Sequence, residues 1–389
     1  MKVVFLLGSP DIGGGTYVIY QHALKCLDNN MDVTIVTNEK VTKKRISWHK
    51  DAKRLKFKNY KDIENESFDL AIATWWRTVY ELPKVNAKNY LYFVQSIESR
   101  FVEGNDWVLK RFIDATYTLP MPIITEATWI KEYLEEKYGA NVTLVKNGIR
   151  KDIYKLEGDK YSKDEAKLRV LVEGPVDVFF KNVPKTIDLV KNSQADEIWL
   201  LTSSDIDKYP GVDRVFSKQT IEECAKIYRS CDVLVKLSLV EGMFGPPLEM
   251  FHCGGTAITY KVSGWDEYIK NNYNALVADM NDEEKVGELI DELYNDRELL
   301  SKLKENAIRT ADNWINWDES SDLFYKSLLK LQKVSYDKNL LLKTIEFNLD
   351  SYDLYYINNS SFRRRVGNVL RKHFPIVYKI YQKIFKGGI

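Results

Sequence analysis

The chain has 389 residues, 44% hydrophobic and 29% charged, the balance of an ordinary globular protein long enough for two domains with separate cores. Its net charge of +1 conceals an asymmetry: residues 360–389 carry eight Lys/Arg and no Asp/Glu, leaving the first 359 residues at −7, which argues against a nucleic-acid binder. Four cysteines (Cys26, Cys224, Cys231, Cys253) show neither metal-ligand spacing nor a paired framework and fit a reducing cytosol. No run of about 18 apolar residues is present to span a membrane.

The apolar run Val3–Leu7 is short and followed by glycines, so it predicts a buried first strand rather than a signal peptide. The loop Gly8-Ser9-Pro10-Asp11-Ile12-Gly13-Gly14-Gly15-Thr16 follows, then a helix over Tyr17–Leu27 and a strand over Asp32–Thr37. This β-loop-α-β opening is the doubly wound pattern. The glycines run GGG rather than G-x-G-x-x-G, so the dinucleotide fingerprint is absent and a dehydrogenase is disfavoured.

Later strands are predicted over Leu70–Thr74 and Tyr90–Val94, each ending where a parallel sheet carries functional loops. Those loops hold Arg77 after the first strand and Gln95, Glu98 and Arg100 after the second. They are candidates for acceptor or donor contact, with a plain surface loop as the alternative. A strand and helix cap over Ile123–Trp129 and a strand over Val142–Val145 complete the first unit, and the polar residues 150–167 suit a linker. Leu168–Glu173 opens a second doubly wound unit, followed by strands over Glu197–Thr202 and Val212–Ser217 and an amphipathic helix over Glu222–Arg229. Asp205-Ile206-Asp207 spells D-x-D on a polar loop, a three-residue match that arises by chance, and no metal is expected there.

The chain is organised around Ser238–Gly264, SLVEGMFGPPLEMFHCGGTAITYKVSG. A β-rich run, Asp232–Leu239, precedes it, and a helix can start at Pro246-Pro247. Strand, glycine-containing turn and helix N-terminus together make an anion site. Glu241 on the turn is placed to accept from sugar hydroxyls, and Glu249, in the helix, to reach a ribose.

This stretch resembles the Glu-x7-Glu motif of retaining glycosyltransferases of the GT-B fold, in the large family numbered four (group 1). YFVQSIESRF resembles the family's rhamnosyltransferase-like subgroup, which builds bacterial surface polysaccharides. The resemblance implies an α/β chain of two doubly wound Rossmann-like domains facing a cleft, with a C-terminal helical extension. The N-terminal acceptor domain would be 1–166 and the nucleotide-sugar domain 167–312. Residues 313–333 would cross back as a helix, and 334–389 would form a helical basic tail.

It further implies that Glu241 contacts the donor sugar, that Met243, Phe244 and Gly245 offer backbone N–H groups, and that Glu249 binds the ribose. Gly14 and Gly15 would lie in the loop closing over diphosphate or acceptor, and backbone groups near Phe216 would hold the base. Lys181 matches the family's diphosphate-binding lysine. The arginine that accompanies it in the family is replaced by Pro175, and Lys236 is the candidate substitute, with a strand-end lysine as the alternative. The donor-loop histidine of many members is also missing: His22, His49, His252 and His373 all fall elsewhere.

The expected activity is metal-independent retaining transfer of a hexose or deoxyhexose to a cell-surface glycan or lipid-linked oligosaccharide, with the nucleotide sugar as co-substrate and no other cofactor. A sugar-nucleotide epimerase and a non-catalytic nucleotide-binding partner subunit remain as alternatives. The sequence leaves open which sugar, base, acceptor and linkage are used. In the tail, Ile376, Val377, Ile380, Tyr381, Ile384 and Phe385 recur at helical spacing, with Lys372, Lys379 and Lys386 on another face. That pattern suits an anionic membrane surface at the inner face of the cell membrane, or equally a helix packed on the body or on a second copy.

Overall fold

The computed structural model describes residues 1–359; of the helical basic tail expected over 334–389, residues 360–389 lie outside the described residues. Two parallel sheets organise the chain. The first contains β1 (Lys2–Leu6), β2 (Asp32–Val36), β3 (Lys56–Lys58), β4 (Phe68–Ala73), β5 (Ala87–Val94), β6 (Ile123–Thr125) and β7 (Val142–Leu144), in the order β3-β2-β1-β4-β5-β6-β7. The second contains β8 (Arg169–Glu173), β9 (Glu197–Thr202), β10 (Arg214–Ser217), β11 (Val233–Lys236), β12 (Thr256–Tyr260) and β13 (Leu276–Ala278), in the order β10-β9-β8-β11-β12-β13.

Helices cover both faces of such sheets, so their strands are apolar throughout rather than alternating. Val3, Val4, Phe5 and Leu6 of β1 are fully buried, as are Leu234 and Val235 of β11. The edge strand β3 escaped the sequence reading because it is three residues long, reads Lys-Phe-Lys and exposes Lys56. Strand order reverses between β1 and β4 in the first sheet, and between β8 and β11 in the second. Ligands of open α/β sheets bind outside the carboxyl ends of the strands at such reversals. The first reversal carries the loops beginning at Leu7 and Thr74, and the second those beginning at Gly174 and Leu237.

The chain passes between domains twice, and the two passages touch. Ile149 N–H donates to the Ile315 carbonyl at 3.1 Å. A Cβ on Gly148 would lie 2.3 Å from the backbone of Asn316, so only glycine fits there. Asn316 then caps the helix Trp317–Leu331 through a reciprocal capping box with Glu319. That helix packs on the first domain beside helix Gly14–Asp28, burying Phe324, Leu328 and Leu331 with Val3 and Phe5. Phe324 stacks on the His22 ring at 4.1 Å between centroids. Burial of His22 pushes its pKa down to about 3, which keeps this aromatic contact neutral. The final helix, Lys338–Asn359, also belongs to the first domain and buries Leu341 and Ile345 there.

Candidate active site

At the second reversal, β8 and β11 run in register, with Val172 opposite Val235. One residue further each strand ends on a charge, Glu173 on β8 and Lys236 on β11. The Lys236 ammonium lies 2.6 Å from Glu173 Oε2, 3.2 Å from the Glu173 carbonyl and 3.8 Å from Glu241 Oε1. Lys236 is only 2% exposed. Burial alone would lower its pKa, but Glu173 and Glu241 outweigh desolvation and raise it, so it is a stable cation inside the domain. Lys236, the candidate second cation for a leaving group, turns inward, and its ammonium joins the two carboxylates.

Lys181 reaches the same cluster from the other side. Gly174, at φ 136° after β8, and Asn182, in the left-handed region at φ 56°, shape the turn that carries it. Asn182 Nδ2 donates to the Leu237 carbonyl at 3.1 Å, and Leu239 N–H to the Phe180 carbonyl at 2.8 Å, tying this turn to the loop after β11. The Lys181 ammonium then sits 2.9 and 2.8 Å from the two carboxylate oxygens of Glu241. Burial works to raise the Glu241 carboxyl, but Lys181 and Lys236 together hold it below the usual carboxylate range.

Glu249 lies on helix Gly245–His252, whose start differs from the sequence expectation in one respect. Pro246 and Pro247 carry no N–H, so this helix end offers its dipole but few hydrogen-bond donors. Gly245 N–H is already bonded to the Met243 carbonyl at 3.0 Å. Glu249 accepts from the hydroxyls of Tyr228 and Tyr154, while burial and the nearby Glu173 charge push its carboxyl up to about 7. The Phe244 side chain is buried. Phe216 also turns inward, packing on Trp199 with ring centroids 5.2 Å apart under the Arg214 guanidinium, so only its backbone remains available to a ligand.

The first domain closes the other wall. The Cβ positions of Gly13 and Gly14 face open space, whereas a Cβ on Gly15 would lie 3.1 Å from Gln95 Oε1. Gln95 thus stands between the glycine loop and Gly242, whose Cβ position lies 2.1 Å from the Gln95 carbonyl oxygen. Arg77 is exposed and stacks over Trp75 and Trp76 at 4.9 and 5.0 Å. Arg100 lies over Trp129 and Tyr133, each at 4.9 Å, and donates across the domains to Ser263 Oγ at 2.5 Å. Glu98 turns inward: it accepts from Tyr92 OH at 2.7 Å and Trp76 N–H at 2.8 Å, and burial pushes it up to about 8. Gly14, Gly15 and Gln95 therefore line the first-domain side of the cleft, while Glu98 supports its loop from beneath.

Sequence reasoning passed over Glu173, Tyr154, Tyr228, Glu126 and Trp129. An acid and a base ending two neighbouring apolar strands was the legible sign of the first. Trp129 Nε1 donates to the Gly242 carbonyl at 2.9 Å, and Glu126 Oε1 accepts from Met243 N–H at 3.3 Å. Burial pushes the Glu126 carboxyl up to about 8.

Residues 203–310, which include both Glu241 and Glu249, match the family described as Glycosyl transferases group 1. An uncharacterized glycosyltransferase of Methanocaldococcus jannaschii is 26% identical over 229 residues, 53% of this chain. The match spans 61% of that relative's length. Among solved structures, the complex of Anabaena HepE with UDP and glucose superposes with a TM-score of 0.67 at 12% identity, covering 85% of this chain and 100% of that one. Sucrose-phosphate synthase from Thermosynechococcus elongatus gives 0.66 at 14% identity over 85% and 99%. WaaG, a glycosyltransferase involved in lipopolysaccharide biosynthesis, gives 0.63 at 13% over 85% and 100%. These likenesses establish the fold as GT-B: two Rossmann-like domains with C-terminal helices.

Proposed function

We propose that the protein is a retaining glycosyltransferase that moves a hexose or deoxyhexose from a nucleotide-sugar donor to a hydroxyl of a cell-surface glycan or lipid-linked oligosaccharide. The observation that carries this reading is the chain Glu173–Lys236–Glu241–Lys181, a buried charge network opening at the strand-order reversal of the second domain. The group 1 match over the same residues supports it, as do neighbours of this fold whose structures contain UDP and UDP-glucose.

In this reading Lys181 exchanges part of its contact with Glu241 for the donor diphosphate. It then neutralises charge as the glycosidic bond to the phosphate breaks. Glu241, fixed from behind by Lys236, holds the sugar hydroxyls while positive charge develops at the anomeric carbon. Glu249, oriented by Tyr154 and Tyr228, takes the ribose hydroxyls. Because these charges are placed before the reaction, their stabilisation falls on the transition state. Lys181 and the helix dipole are proposed to serve in place of a metal. The site of action would be the cytoplasm, at the inner face of the membrane if the tail engages it.

Proton NMR of donor turnover tests the reading. Release of nucleotide with transfer or hydrolysis, the first-formed product keeping the donor's anomeric configuration, is expected. Inverted product would overturn retention. Interconversion of the donor sugar without nucleotide release would favour an epimerase.

A further inference from the structure

The loop that follows β11 belongs by sequence to the second domain, yet the first domain holds its backbone at three consecutive residues. Ser96 Oγ donates to the Glu241 carbonyl at 3.4 Å, Trp129 Nε1 to the Gly242 carbonyl at 2.9 Å, and Met243 N–H reaches Glu126 Oε1 at 3.3 Å. The contact has a reciprocal: Glu267 of the second domain accepts from Thr128 N–H and Thr128 Oγ1 of the first, the latter at 2.7 Å, and pairs with Lys146 at 3.0 Å.

Glu126 is 6% exposed, and its carboxyl hydrogen-bonds both the Asn147 side chain of its own domain and Met243 N–H of the other. Burying a carboxyl carries a desolvation cost that an apolar side chain would avoid if domain packing were all that position required. The polar group is explained by what it holds across the domains, a backbone N–H in the middle of the proposed donor loop.

We propose that Glu126 is a positioning residue that sets the conformation of the donor loop from the opposite domain, so that loop geometry and domain closure form one equilibrium. Opening the cleft removes the acceptor from Met243 N–H and the donors from the Glu241 and Gly242 carbonyls together. An incoming donor then meets a formed loop only when the domains are closed. The role in donor binding rests on the glycosyltransferase reading; the coupling itself does not.

Hydrogen–deuterium exchange of the full chain without ligand tests the coupling. Glu126→Leu should speed exchange in the segment 241–245 by about fivefold or more, the equivalent of one net hydrogen bond, while β8 and β11 stay protected. Glu126→Gln, which keeps a carbonyl oxygen facing Met243, should remain near wild type. Should Glu126→Leu unfold, Trp129→Phe keeps a ring beneath Arg100 but removes the donor to Gly242, and should speed the same segment. Equal exchange at 241–245 in wild type and the folded variants would overturn the proposal.

UDP then serves as a calorimetric probe. Weaker binding by Glu126→Leu with recovery in Glu126→Gln would extend the coupling to the ligand, and equal binding by all three would overturn that extension. Wild type that ignores UDP while the exchange result holds would count against UDP as the donor nucleotide and leave the coupling standing.

Discussion

The Lys181 ammonium bridges both carboxylate oxygens of Glu241, at 2.9 and 2.8 Å, and this pair closes the outer end of the charge network. Lys181 retains partial access to solvent while Glu241 is 6% exposed, so the lysine is the member able to turn toward a ligand. Lys181→Met should weaken nucleotide-diphosphate binding by about tenfold or more, the scale of one charge-assisted hydrogen bond, and lower the melting temperature less than Lys236→Met does, because Lys236 still faces Glu241. Calorimetric titration beside a thermal melt checks both halves.

Lys236 should behave in the opposite way. Its removal takes the cation from Glu173 and leaves Glu241 to Lys181 alone, so Lys236→Met should cost about 3 kcal/mol of stability, the lower end for breaking a buried pair. Combining it with Glu173→Gln should recover part of that loss. A double-mutant cycle from urea denaturation measures the coupling, and simple additivity would contradict the network.

Glu98 gives a pH dependence with a defined sign. Burial raises its carboxyl to about 8 against an ordinary value near 4.3, so the folded state binds the proton more tightly than the unfolded chain. Its contribution to stability is complete below the ordinary value and is lost as pH rises toward about 8. Urea midpoints of wild type should therefore fall between pH 5.5 and 8.5 more steeply than those of Glu98→Gln.

Gly242 carries the steric counterpart of the polar contacts around it. A methyl group there would sit 2.1 Å from the Gln95 carbonyl oxygen, a backbone atom that cannot swing away. Gly242→Ala should force the domains apart, visible as a larger radius of gyration in small-angle scattering, with each domain's secondary structure intact. An unchanged scattering profile would count against the closed cleft.

Most of the fold was legible because parallel strands buried on both faces write themselves as apolar runs: KVVFL, DVTIV, FDLAIA and VLVK all stand out. β3 did not, since an edge strand of three residues carries neither length nor alternation. Within the site, Glu241, Glu249 and Lys181 were legible through the resemblance of the motifs around them, since two acids eight apart and a lone lysine carry no signal by themselves. The burial of Lys236 was not, because a lysine ending an apolar strand looks like a surface residue until its neighbour strand is known to end in Glu173. Glu126 and Trp129 were invisible for a deeper reason: their partners lie 113 to 117 residues away on another domain, and no local pattern encodes that docking.

The central claim is a nucleotide-sugar site built on Lys181, Glu241 and Glu249, and a thermal-shift panel of UDP, GDP, dTDP and their sugars, with and without EDTA, tests it most directly. Stabilisation grows with the logarithm of ligand concentration over Kd. One nucleotide series should raise the melting temperature, keep doing so in EDTA, and lose the effect in Glu249→Ala. No shift with any member of the panel, or an equal shift in the folded Glu249→Ala variant, would contradict the account.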